Sequence, residues 1–329
     1  MSVNLNELQK KLCTALQAGL PLCSRPFDRL AEALDSDEQT VLRHVRRLKE
    51  LGVLRRLRAV MNYRALGFAG TLVAAHVPQD DVEAVAAAVN SLNGVSHNYL
   101  RRHHYNIWFT LQARSPQEIE RTLADLGRRL GIEFHSLPVE RVFKLDVRFD
   151  IEDEARPGPQ DAATVPKNGV IQLSENEKRI LAKLEKELDL TAKPFDFLCG
   201  QGLDERAVLE IVAGLVGKGV IRRVAGILDQ RELGLAANVM FCCHVSPERI
   251  VEAAGRLARF PIVSHCYQRS TFGGWPYNLF AMMHASTMAD IHRAIDEFVK
   301  AEGITSFELL PTIAELKKQP VRYDLGGNG

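Results

Sequence analysis

"HNYLRRHHYNIWF", His97–Phe109, and "HCYQRSTFGGWPYNLF", His265–Phe280, are two versions of one skeleton. Each begins His-x-Tyr-x-Arg and closes on Tyr-Asn followed by an aliphatic and an aromatic residue, and the second carries a longer insert. Outward from this pair, "AAHVPQ" at Ala74–Gln79 matches "CCHVSP" at Cys242–Pro247, and the interval from His76 to His244 equals that from His97 to His265. "LGVLRRLRAV" from Leu51 answers to "KGVIRRVAGI" from Lys218, "RPFDRL" from Arg25 to "KPFDFL" from Lys193, and "VRFD" at Val147–Asp150 to "VRYD" at Val321–Asp324. The chain is a tandem duplication, and every local reading has to fit both copies.

Within each half the hydrophobic period changes once. Leu5, Leu8, Leu12 and Leu16 recur at helical spacing over Leu5–Gly19. A second helix is predicted over Pro26–Leu34 and a third over Ser36–Leu51, with Ser36 as N-cap and Gly52 as terminator. Val53–Val60 then extends as a wing, which completes a winged helix-turn-helix over residues 1–66. Beyond Gly67 the order is strand Thr71–Val77, helix Asp80–Leu92, strands Val95–Arg101 and Tyr105–Ala113, helix Ser115–Leu130 and a closing extended segment Ile132–Val147. That is a ferredoxin-like βαββαβ domain over residues 67–152. "DEARPGPQDAATVPKNG", 153–169, is a Pro/Gly/Ala-rich linker. A second winged helix-turn-helix follows over 170–233 and a second ferredoxin-like domain over 234–329, so the fold class is a tandem α+β duplication.

Composition narrows the function. Of 329 residues, 46% are apolar and 25% charged, the balance of a soluble globular protein, and the net charge of +1 argues against a general nucleic-acid coat. The first residues lack the basic start and apolar core of a signal peptide, and no run has the length of a membrane span, so a cytoplasmic protein is expected. The six cysteines form no CxxC pair, and adjacent Cys242 and Cys243 would point to opposite faces of a strand; they read as buried thiols, with no metal site.

A winged helix joined to a ferredoxin-like domain resembles the Lrp/AsnC transcription regulators. The resemblance implies α/β domains paired sheet to sheet, here as an internal pseudo-dimer, with a further homodimer compatible. It also raises DNA binding. The third helix carries Arg43, His44, Arg46, Arg47 and Lys49, but its counterpart Leu203–Lys218 is acidic and contains Gly214 and Gly217. A two-fold reader needs two competent recognition helices, so specific DNA binding is not expected.

Strand alternation places His97, Tyr99 and Arg101 on one face, with His103 continuing the series if the strand stays regular. On the next strand Tyr105, Ile107 and Phe109 share a face, while Asn106 and Trp108 point the other way. Cations beside aromatic rings suit a large flat ligand bearing several carboxylates, which arginine grips bidentately. In the second copy the cations thin to His265, Arg269 and His284, and Trp275 sits on a Gly/Pro-containing insert that could lie over a ligand.

These two stretches resemble a specific family. "HNYLRRHHYNIWF" is similar to the HNYxRxHxxNLWF motif of one siroheme decarboxylase subunit type, and "HCYQRSTFGGWPYNLFAMMHA" to the HCYRR…WPYNLFxMxHG motif of the other. Gln268 stands where the second motif often has Arg, and Ala285 replaces a glycine. The resemblance implies a carboxy-lyase that removes two acetate carboxyls from siroheme to give 12,18-didecarboxysiroheme, on the route to haem d1 or haem. It implies no cofactor beyond the iron that the siroheme substrate brings. His97 and His103 would be proton donors or carboxylate partners. Substrate contacts would come from Tyr99, Arg101, Arg102, His104, Asn106 and Trp108 in the first copy, and from His265, Tyr267, Arg269, Trp275 and Tyr277 in the second. His135, on the closing segment, would lie away from both motifs. A tetrapyrrole sensor without catalysis would share the same pocket and release its ligand unchanged.

Overall fold

A computed structural model describes residues 3–145 and 171–321. The linker read at 153–169 lies outside the described residues.

The first half opens with α1 (Glu7–Ala18), α2 (Pro26–Ala33) and α3 (Glu38–Glu50), followed by strand β1 (Leu54–Met61). Local chemistry fixes the ends: Asn6 and Gln9 form a capping box on α1, and Pro26 starts α2. The cap of α3 is Asp37, whose carboxylate accepts from the Thr40 N–H at 2.8 Å, and not Ser36 as expected. Either residue type can cap; Asp37 is the one placed one residue before the first helical turn.

The second half repeats this with α6 (Glu175–Leu184), α7 (Glu205–Gly217) and β6 (Ile221–Leu228). The counterpart of α2, however, shrinks to a single 3-10 turn at Asp196–Leu198. The chain that follows it runs through Gly200, Gln201 and Gly202, all at positive φ, which no helix continues through. Nor is either wing a hairpin of its own. β1 pairs antiparallel with β6, Leu57 opposite Gly226, and the helices of both halves share one core that includes Leu12, Leu16, Phe27, Leu48, Ile180, Leu184, Val212 and Leu215. The two winged domains are therefore one body.

Each α/β domain follows the predicted order. The first holds β2 (Ala69–Ala75), α4 (Val82–Asn90), β3 (Val95–Arg101), β4 (Ile107–Ala113), α5 (Pro116–Leu130) and β5 (Phe134–Leu145). The second holds β7 (Ala237–Cys243), α8 (Ile250–Arg259), β8 (Val263–Arg269), β9 (Leu279–Ala285), α9 (Met288–Glu302) and β10 (Phe307–Lys318). β5 and β10, at 12 residues each, are long enough to pair at both edges: β5 joins β2 to β8, and β10 joins β7 to β3. The eight strands of the two α/β domains close into a barrel, β10-β3-β4-β2-β5-β8-β9-β7, which among the described residues has no open edge. The helices cover the outer faces. The inner faces meet over a separate core in which Ala74, Trp108 and Leu137 of the first half touch Met240, Cys242, Trp275, Phe280 and Leu310 of the second. Cys242 faces this interior and Cys243 the helices, as strand alternation requires. Among the described residues no helix is long and apolar enough to cross a membrane.

Candidate active site

β3 and β8 carry the doubled motif, and their inward faces look into the barrel. Tyr99 lies directly opposite Trp108 in the β3–β4 ladder, and Trp108 is fully buried in the interior core, so His97, Tyr99, Arg101 and Trp108 share that face. Ile107 and Phe109 pack outward beneath the helices. β8 repeats the pattern with His265, Tyr267 and Arg269.

The two arginines are the least expected side chains in such a place. Arg101 is 3% exposed and Arg269 is 8% exposed. Nη1 of Arg101 donates to the Leu310 carbonyl at 2.8 Å and to Thr312 Oγ1 at 3.1 Å. Nη1 of Arg269 donates to the Leu137 carbonyl at 2.8 Å. Each thus binds the crossing strand of the other half. Their guanidinium groups lie over the Tyr99 and Tyr267 rings at 5.3 and 4.9 Å from the centroids. Neither has a carboxylate partner among the described residues, and Nε of each is buried without a hydrogen-bond acceptor. Burial brings Arg101 down to about 10, and burial together with the positive charge of Arg64 lowers Arg269.

A cavity of about 220 Å³ opens beside this ladder. Its wall takes Tyr63, Arg64 and Arg222 from the winged pair, His97 from β3, and Tyr267 and Arg269 from β8, so both halves and both domain types build it. Gly70 makes the wall possible: a Cβ there would stand 2.9 Å from the Tyr63 ring. His97 is oriented through Nδ1, 2.8 Å from Ser96 Oγ, which in turn reaches Thr110 Oγ1 at 2.7 Å. The same serine recurs as Ser264, 2.9 Å from His265 Nδ1. Burial pushes His97 down to about 4, helped by the positive charge of Lys318. His265 falls to about 3 through burial and the nearby His284 and His97, and His284 falls to about 4 through burial, Lys318 and Arg101. At neutral pH the interior therefore holds buried fixed cations and neutral imidazoles.

The remaining motif residues lie at the barrel's opposite end. β3 stops at Arg101 and the chain turns, the His103 N–H donating to the Arg101 carbonyl at 3.0 Å, so His103 does not continue the strand face. The His103 ring accepts from the Tyr105 N–H through Nδ1 at 3.0 Å, approaches the Glu308 carboxylate at 3.9 Å, and meets Trp275 edge-on at 5.4 Å. Burial lowers its pKa against the opposing pull of Glu308. Arg102 is exposed, and His104 stacks on His76 at 4.0 Å on the surface. Both hydrogen-bonding groups of the Asn106 amide are committed to the backbone of Val77, and Asn278 holds Val245 in the same way. Tyr105 precedes β4 and turns into the interior instead of sharing the face of Ile107 and Phe109. Trp275 is not an open flap. It is 1% exposed, 5.2 Å from Trp108 and 4.9 Å from Tyr277, and the insert that bears it plugs this end of the barrel. Phe272 of the same insert stacks on His135 at 4.0 Å, and Tyr105 meets His135 edge-on at 5.5 Å. His135 is part of the plug, contrary to its expected isolation, because the insert folds back across β5.

A model of the AsnC-like ligand binding domain matches residues 65–144 and 232–317, and one of the siroheme decarboxylase NirDL-like HTH domain matches residues 9–55. A siroheme decarboxylase of Hydrogenobacter thermophilus is 33% identical over 318 residues, covering 95% of this chain and 94% of that protein. The chain belongs to the siroheme decarboxylase family. A crystal structure of the siroheme decarboxylase NirDL superposes with a TM-score of 0.73 at 29% identity, covering 97% of this chain and 94% of that one. A second, of NirDL in co-complex with an iron-uroporphyrin III analogue, gives 0.72. The siroheme decarboxylase alpha subunit of Desulfovibrio desulfuricans, 41% identical over 152 residues, spans 88% of its own length and only 46% of this chain. One relative is thus the size of a single half, which accords with the duplication.

Within this family of carboxy-lyases, the pieces that sequence reasoning overlooked in the present chain are Tyr63, Arg64, Arg222 and Ser96. The serine was detectable, since Ser-His recurs before both motifs. The wing residues gave no such signal, because they enter the cavity only through the pairing of β1 with β6.

Proposed function

We propose that this chain decarboxylates siroheme, removing two acetate carboxyls to give 12,18-didecarboxysiroheme without an external oxidant. The observation that carries the reading is the pairing of buried, carboxylate-free Arg269 with neutral, buried His97 on the wall of one cavity, in a chain that matches a siroheme decarboxylase over 95% of its length. Cations without internal counter-ions are costly in the empty protein and are offset when a polycarboxylate arrives. The same carboxylates raise the pKa of His97, so the imidazole takes up its proton as substrate binds. As the bond to the carboxyl carbon breaks, its electron pair stays on the methylene carbon, carbon dioxide leaves, and imidazolium supplies the proton that completes the methyl group. Arg269 and Arg64 hold the carboxylates that do not react. The cavity's 220 Å³ is below the ~300–1,000 Å³ usual for small-molecule sites, so a whole macrocycle enters only if the wing wall at Tyr63 and Arg64 moves aside.

Anaerobic incubation with siroheme followed by mass spectrometry tests the reading. Loss of two carbon dioxides per tetrapyrrole is expected. Recovery of intact siroheme from a saturated protein would make the chain a tetrapyrrole sensor.

A further inference from the structure

Each histidine that heads the doubled motif is held by the serine before it, but the two serines are engaged differently. In the first copy Ser96 Oγ lies 2.8 Å from His97 Nδ1 and 2.7 Å from Thr110 Oγ1, and Thr110 Oγ1 accepts from the His97 N–H at 3.3 Å. In the second, Ser264 Oγ lies 2.9 Å from His265 Nδ1 and donates to the Met282 carbonyl at 3.3 Å. One position of the repeat makes the difference. Thr110 faces His97 in the β3–β4 ladder, and Met282 faces His265 in the β8–β9 ladder.

A hydroxyl has one hydrogen to give, and a neutral imidazole has one nitrogen that donates and one that accepts. A carbonyl only accepts, so the Ser264 hydrogen goes to Met282, and the contact with His265 is a hydrogen bond only if Nδ1–H donates. Nε2 of His265 is then bare. In the first copy, among the described residues, the Thr110 hydroxyl has Ser96 Oγ as its acceptor, which leaves Ser96 to donate to His97 Nδ1. Both hydroxyl hydrogens are then satisfied, and the imidazole hydrogen sits on Nε2.

We infer that His97 and His265 are held in opposite tautomers, hydrogen on Nε2 in His97 and on Nδ1 in His265, and that Ser96 and Thr110 are positioning residues which let His97 charge once an acceptor enters the cavity. Ser96 and Thr110 both line that cavity. When His97 charges, Nδ1 gains a hydrogen and donates to Ser96, Ser96 donates to Thr110, and the Thr110 hydrogen turns to a substrate carboxylate. Nε2 gives its hydrogen to the methylene carbon, and solvent water replaces it between turnovers. Ser264, fixed on a backbone carbonyl, offers His265 no such reversal. The tautomers belong to the empty protein; their catalytic consequence rests on the decarboxylase reading.

Ring 15N shifts of histidine-labelled, substrate-free protein distinguish an N–H from a bare nitrogen, with His97→Gln and His265→Gln assigning the signals. At neutral pH His97 should show a bare Nδ1 and His265 a bare Nε2, and the same tautomer at both would overturn the inference. Thr110→Val keeps the shape and removes the hydroxyl. Nδ1 is then the one acceptor left to Ser96, so the His97 tautomer should persist, but the reversal is lost. For this variant kcat should fall about tenfold, the order of one hydrogen bond, with KM within about threefold, and Thr110→Ser should restore the rate. Lys318 and Arg55, Glu315 and His265 act on His97 alike in all these proteins, so the difference isolates the hydroxyl. An unchanged kcat in Thr110→Val, or equal losses in Thr110→Val and Thr110→Ser, would remove the positioning role. If the tautomers differ as stated and siroheme is returned intact, the decarboxylase reading fails and the tautomer split stands.

Discussion

Arg269 donates from Nη1 to the carbonyl of Leu137 at 2.8 Å, so a buried cation of one half is held by a neutral oxygen of the other. A carbonyl satisfies one N–H without cancelling the charge, and Nε stays without an acceptor. In the empty protein the guanidinium is therefore an electrostatic burden that methionine would relieve, against the loss of one charged hydrogen bond worth about 1.5–3 kcal/mol. Arg269→Met is expected to keep Tm within a few degrees of wild type while KM for siroheme rises more than about tenfold. Thermal unfolding and initial rates measured together decide it: a collapsed Tm with an unchanged KM would make the arginine structural.

His97 is expected to carry the proton. His97→Gln keeps a polar side chain near Ser96 and should lower kcat by about 10²–10⁴, the range of general acid–base catalysis. His103→Gln is the companion variant, and its size reports whether the plugged end of the barrel takes part. His135 cannot serve as a control, because its ring stacks on Phe272. Exposed His292 on α9 can, and His292→Gln should leave kcat unchanged. If His97→Gln retains near wild-type turnover, the donor lies elsewhere, with His265 and His284 next.

What the amino-acid sequence reveals of this fold and site is set by the range of the interactions involved. The duplication shows on comparing the chain with itself, and the βαββαβ order and the shared face of His97, Tyr99 and Arg101 follow from periods of two and 3.6 residues. None of these needed tertiary information, whereas the inward direction of that face did. The turn at Arg102–Tyr105 broke the extrapolation to His103, because a strand's period says nothing about where the strand stops. His135 was misplaced, and the burial of Trp275 unforeseen, for a related reason: an insert's landing point is set by what it packs against. The composite cavity was beyond reach, since it depends on β5 pairing with β8 and β1 with β6 across the linker.

Acid should destabilise the protein through its interior histidines. His97, His265 and His284 sit at about 4, 3 and 4 when folded, against 6.5 for the ordinary group. The unfolded chain binds protons that the folded chain refuses, so this contribution to stability is complete above about pH 6.5 and is lost as pH falls toward 4. Tm should decline over that window, and less steeply in His97→Gln. Siroheme binding should run the other way at pH 7, taking up protons as its carboxylates lift the histidine pKa. Calorimetry in buffers of different ionisation enthalpy measures that uptake, and zero uptake would count against His97 as the group that charges.

The winged pair should not read DNA. Arg46 donates from Nε and Nη2 to the Leu190 carbonyl at 3.1 and 2.9 Å, and Lys49 is ion-paired with Glu187, so two cations of α3 bind the other half. Arg47 is paired with Glu50 on its own helix at 3.1 Å. The opposite module is weaker still: Arg206 is engaged by Glu210 at 2.9 Å, the Glu205 carboxylate accepts from Ser24 Oγ at 2.7 Å, and the turn at Asp196–Leu198 leaves α7 without the full preceding helix of a helix-turn-helix. Phosphate contacts supply most of the affinity of such modules, and each cation held internally subtracts one. Gel shifts with random and promoter-derived duplexes should show only weak binding that vanishes by about 150 mM salt. A sequence-dependent nanomolar complex surviving that salt would require α3 to release Glu187 and Leu190, and would give the winged pair a regulatory role beside the cavity it walls.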